Sequence, residues 1–110
     1  VTAPTANYGT ALKVGAYYTG GAVFGGLLDE VSVFDSALSA GDIEDIYNDG
    51  VPNDLGTDGL NLSPVAWWRM GDGGTWDGTN WTIPDASTNS NTGTTVNMAE
   101  ASRVTDVPPT

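Results

Sequence analysis

Residues 25–55, GGLLDEVSVFDSALSAGDIEDIYNDGVPNDL, constrain this chain more than any other stretch. They set one strand pattern directly before one helix pattern and a Gly-Pro stop. In the strand half, Leu27, Asp29, Val31 and Val33 fall on one face, and Leu28, Glu30, Ser32 and Phe34 on the other. Val31 and Val33 ask for burial, which predicts that Asp29 lies on the buried side with them. A carboxylate placed there has to be paired, hydrogen-bonded or metal-bound. In the helix half, Ser39 is placed as N-cap with Asp42 three residues on. Ile43, Ile46 and Tyr47 make one apolar stripe at helical spacing. Gly50 ends the helix and Pro52 keeps it from restarting.

The rest of the chain is Gly-, Thr- and Asn-rich and reads as short strands between turns. Residues 1–9 are an arm, 11–18 a strand, and Gly20-Gly21 a turn. The region 22–35 is one long strand with a bulge at Gly25-Gly26. Composition makes 50–62 a linker. Strands follow at 64–70, 80–84 and 94–98, with loops at 71–78 and 85–93 and a Pro-ended tail from Val104.

Two blocks carry a family resemblance. Gly26, Leu28, Asp29, Glu30, Val31, Val33 and Phe34, then Ala37, Leu38, Ser39, Ile43, Ile46, Tyr47, Asn48 and Gly50, resemble the closing segment of laminin-G-like, concanavalin A-like jelly-roll domains. PVAWWRMGDG and the later Asp85, Ser87, Asn89, Asn91 and Gly93 resemble the opening of the same family, with Thr88 where that family has Gly. The order is therefore a domain end (1–55), a linker (56–63) and a domain beginning (64–110), without the middle strands of a full jelly roll. Three arrangements fit this order. A larger parent chain was cut, the halves fold together as a permuted mini-sandwich, or neighbouring copies supply the missing strands. The chain starts at Val1 and not at Met, which suggests a processed product or a fragment. The implied fold is an all-β, jelly-roll-like antiparallel sandwich, partial or permuted, with one short helix. The run Tyr47, Asn48, Gly50, Val51, Pro52, Asp54, Leu55, then Pro64, Trp67, Trp68, Arg69, Met70, Gly71 and Asp72, also resembles the tandem pattern of marine tailed-phage proteins. That likeness implies a virion or extracellular protein.

Composition limits the chemistry. Hydrophobic residues are 39%, enough for a modest core in one domain. Fourteen acids against three basic residues give a net charge of −11. Such a surface disfavours nucleic acid, which needs Lys/Arg patches, and anionic membranes. It suits calcium, or simply a solvated acidic exterior. There is no Cys, hence no disulfide framework and no thiolate metal site. No apolar run approaches the roughly 18 residues of a membrane span.

His is absent as well, so Ser-His-Asp and Cys-His catalysis are excluded. Lys13 reads as a surface strand lysine. Paired carboxylates are the remaining catalytic option, but Asp29 and Glu30 are adjacent on a strand and point to opposite faces. The chain is expected not to be an enzyme. A calcium site is the sharper possibility. Asp85, Ser87, Asn89 and Asn91 offer oxygens at alternating positions, and the resemblance implies that Asp29 can lie beside them. The competing reading is that these residues make Asx-turns. The acidic loop from Asp72 to Asp77 reads as a turn.

Four Trp in 110 residues invite glycan stacking. Trp67 and Trp68 are neighbours on a strand, so one faces the core and the other a sheet face or interface. Trp76 and Trp81 fall in or beside a polar loop, where exposed aromatics suggest a carbohydrate site or an interface. Core packing is the alternative for each. An ion pair is expected for Arg69. The composite expectation is a non-catalytic structural or interaction module of a phage virion, oligomeric with other assembly subunits and glycan-adhesive. A lectin module of a secreted bacterial protein and a self-assembling filament subunit are the rivals.

Overall fold

The structure, a computed structural model, describes residues 11–17 and 21–104. The expected arm at 1–9, the residues Tyr18 and Gly20, and the tail beyond Val104 lie outside them. Two small antiparallel sheets and one short helix make up the regular structure, an arrangement compatible with the all-β class. The first sheet pairs β1 (Val31–Val33) with β2 (Ala66–Trp68), placing Val31 opposite Trp68, Ser32 opposite Trp67 and Val33 opposite Ala66. The second orders β3 (Thr75–Trp76), β4 (Trp81–Ile83) and β5 (Gly93–Thr94) as a meander. The β1–β2 pairing joins the two halves of the sequence. Among the described residues no helix is long and apolar enough to cross a membrane.

Helix α1 (Ala40–Tyr47) forms where the pattern places it. Ser39 Oγ accepts from Asp42 N–H at 3.1 Å and Asp42 Oδ2 accepts from Ser39 N–H at 3.0 Å, so the capping box is complete. Asn48, at φ 41°, turns the chain left-handed, and a 3-10 turn over Asn48–Gly50 finishes the element. Gly50, at φ 82°, holds a conformation that a side chain would strain.

Strands are shorter than alternation predicts. The long strand at 22–35 contracts to Val31–Val33, and residues 11–17 contain bends and no strand. Glu30 explains the first contraction. Its φ of 49° breaks the extended backbone directly before β1. The 71–78 loop contains β3, and the last strand is Gly93–Thr94, just before or at the start of the expected segment. The 56–63 linker is a folded turn. Leu60 N–H donates to Asp54 O at 2.7 Å and Leu62 N–H to Leu55 O at 3.1 Å, which buries Leu55.

The core is small. Among the described residues the buried hydrophobics are Leu55, Ala66, Trp67 and Trp81. Trp67, at 5% exposure, lies on the same side of the first sheet as Ser32, its cross-strand partner. The expectation that Val31 and Val33 mark the buried side is therefore corrected. Val31 is half-buried and Val33 is 37% exposed. The partner strand offers a Trp to each face, and burial falls on the face of Trp67 rather than that of Trp68, which the alternation of β1 alone cannot reveal.

Candidate functional site

Strand β2 is the organising element. Residues 66 and 68 turn their backbone groups to β1, and Trp67 turns its own to the opposite edge. There, Trp67 N–H donates to Asp85 Oδ1 at 2.9 Å and Ala86 N–H donates to Trp67 O at 2.7 Å. The segment at 85–86 thus takes the place of a third strand.

On the Trp67 side, Glu30 is the central acid. Its Oε2 accepts from the Trp67 indole N–H at 2.9 Å, and its Oε1 accepts from Arg69 Nε–H at 3.0 Å. Arg69 also reaches Asp72 Oδ2 at 3.4 Å and lies 5.3 Å from the Trp67 ring centroid, within cation–π range. The Glu30 hydrogen bond raises the Arg69 guanidinium further above its ordinary pKa. The expected ion pair of Arg69 is present. Asp29 is exposed, against the expectation of a buried position. Its carboxyl nonetheless titrates above the usual range, first through partial desolvation and then through the charges of Glu30 and Asp72. Glu30 is the residue the alternation missed. Its cue was the pair of donors Trp67 and Arg69, on and just after β2, visible only once the register is known.

The 85–93 loop wraps around β2. Asp85 Oδ1 also accepts from Ser87 N–H at 2.8 Å, and Oδ2 accepts from Asn91 N–H at 2.7 Å. Three groups donate to the Val65 carbonyl: Ser87 Oγ at 3.2 Å, Asn89 Nδ2 at 2.9 Å and Asn91 Nδ2 at 3.0 Å. Burial pushes the Asp85 carboxyl up, but the backbone N–H groups of Trp67, Ser87 and Asn91 outweigh it and hold it below 3.8. Asp85, Ser87, Asn89 and Asn91 are therefore brought together as the sequence predicts. Asp29, which precedes β1, stands on the other side of β2 from them. Among the described residues no three acids converge as a metal cage.

The aromatic expectations need correction in placement. Trp81 is buried at 9% exposure on β4, and Trp76 is half-buried on β3 directly opposite it. Their rings stand 5.7 Å apart at 52°, and the Trp81 indole N–H donates to Ala99 O at 3.2 Å. Arg103 lies 5.8 Å from the Trp81 ring centroid. They form a cross-strand pair because β3 forms where a loop was expected. Trp68 is half-buried, its indole N–H donating to Asn91 O at 2.7 Å. Of the 72–77 run that reads as one turn, Thr75–Trp76 forms β3, and Asp77 opens the turn that follows, its Oδ1 accepting from Thr79 N–H at 2.8 Å and Asn80 N–H at 2.7 Å.

Two concavities flank β2. An open groove of about 700 Å³ is lined by Asp54, Asp58, Asn61, Trp67, Arg69 and Asn89, among others. A smaller one of about 240 Å³, on the Trp68 side, is lined by Leu12, Val33, Val65, Ala66, Trp68 and Asn91. No family model, curated protein or solved structure matches this chain.

Proposed function

We propose that this chain is a non-catalytic structural and interaction module, a partial jelly-roll-like sandwich working in an extracellular assembly of the phage-virion kind. The supporting observation is the balance of apolar surface. Among the described residues four hydrophobics are buried, while Ile43 is 54% exposed, Tyr47 66%, Phe24 57% and Leu27 56%. Two members of the capped helix's apolar stripe, Ile43 and Tyr47, thus stand exposed among the described residues. Surfaces of that kind mark association sites. The partners proposed are further copies of the chain or other assembly subunits, in a fibre, appendage or capsid-decorating protein. Native mass spectrometry tests this reading. A defined oligomer is expected, and a strict monomer at all concentrations overturns it.

Glycan adhesion is the second reading, favoured by the groove beside Trp67. Its rim carries amide, hydroxyl and carboxyl groups suited to sugar hydroxyls. The buried Trp81 ring is a poor stacking platform, so this reading rests on the groove and not on the Trp76–Trp81 pair. Binding on a glycan array that weakens in Asn61→Ala supports it, and an array without signal removes it.

A further inference from the structure

The alternating oxygens of Asp85, Ser87, Asn89 and Asn91, with Asp29 placed beside them by the resemblance, offer a calcium site, and the donor set does not fit one. We infer that this loop is instead a metal-independent clasp, in which the Asp85 carboxylate and the Val65 carbonyl take the organising role of a cation and tie the two sheets together.

The argument is one of occupied oxygens. A carboxylate offers about four lone-pair sites. Asp85 commits three of them, to the N–H groups of Trp67, Ser87 and Asn91. The Val65 carbonyl would be a natural calcium ligand, yet three donors already converge on it. Because that group is an acceptor, Asn89 and Asn91 must turn their NH₂ edges inward, whereas calcium would require their oxygens. Calcium takes six to eight oxygens. The side chains of Asp85, Ser87, Asn89 and Asn91 carry five oxygens between them, fewer than that number, and Asp29 precedes β1 on the far edge of β2.

The same bonds explain what the clasp does. Residues 84–92 connect β4 to β5 in the second sheet, while their hydrogen bonds go to Val65, Trp67 and Trp68 at the first. Asp85 also forms a bridge with Trp68. This inference stands apart from the function proposed above, since either function could use a clasp of this kind.

The test is thermal melting of the full chain in calcium chloride and in EDTA, for wild type and Asp85→Ala, with calcium titration calorimetry on wild type. The expected result is no Tm difference between the two media for wild type, no binding heat, and an equal Tm loss in both media for Asp85→Ala. A calcium-dependent rise in the wild-type Tm that Asp85→Ala abolishes overturns the inference, as does a stoichiometric binding heat. Should Asp85→Ala fail to fold, Asn89→Ala makes the same comparison. It removes one donor to Val65, so a medium-independent Tm loss supports the clasp and a loss confined to calcium overturns it.

Discussion

Glu30 joins the two halves of the sequence through a single carboxylate. Removing it strands the Trp67 indole N–H in a buried site and leaves Arg69 with only its longer contact to Asp72. Glu30→Ala is therefore expected to cost about 1–3 kcal/mol, the penalty of an unsatisfied buried donor. Glu30→Gln retains an acceptor for the indole and should cost less. Urea denaturation followed by Trp fluorescence measures both, and equal costs would refute this division of roles. Asp29, one residue away, works in the opposite direction. Its carboxyl is raised, so its ionised form is disfavoured in the fold. Asp29→Asn should slightly stabilise the protein at neutral pH and change nothing well below the folded pKa. Asp85 shows the reverse sign. Its depressed carboxyl contributes stability that is present above 3.8 and lost as pH falls through the folded value. A pH series of denaturation midpoints should fall off in that acidic window for wild type and do so less steeply for Asp85→Asn. Parallel curves would count against the role of Asp85.

At the scale of elements, α1 depends on its ends more than on its faces. None of its residues is buried, so the capping box and the left-handed exit at Asn48 supply much of its definition. Ser39→Ala should cost about 1 kcal/mol and reduce helical circular dichroism at 222 nm before the β-sheet signal changes. Simultaneous loss of both signals would mean that the helix and sheets form one cooperative unit. The turn at 54–62 has a stricter requirement. A Cβ at Gly59 would collide with the Asp54 carbonyl, so Gly59→Ala must open the turn that buries Leu55. A lower melting temperature with increased protease sensitivity in this turn is the expected outcome.

At the scale of the whole molecule, the decisive fact is how few hydrophobic side chains among the described residues are buried. Two- and three-stranded sheets of two or three residues each are marginal structures without something packed on them. If neighbours supply that packing, charge on the helix stripe should break the assembly and spare the subunit. Ile43→Lys with Tyr47→Lys is expected to shift sedimentation velocity from oligomer to monomer while leaving the Trp fluorescence maximum unchanged. An unaltered oligomer would place the contact elsewhere.

Local signals were sufficient wherever the cause was local. The Ser39–Asp42 box, the stop at Gly50, the polar loop at 85–93 and the turn at Asp77 each depend on neighbours within a few residues, and each is where its residues put it. The choice of buried face was different. Alternation gave β1 two faces, and the burial of Trp67 beside Ser32, with Trp68 beside Val31 only half-buried, chose between them. That choice moved the important carboxylate from Asp29 to Glu30. The pairing of Trp76 with Trp81 likewise needed a register that no period-two pattern contains. Long-range hydrogen bonds and packing are set by which strands meet, and that is a property of the folded chain as a whole.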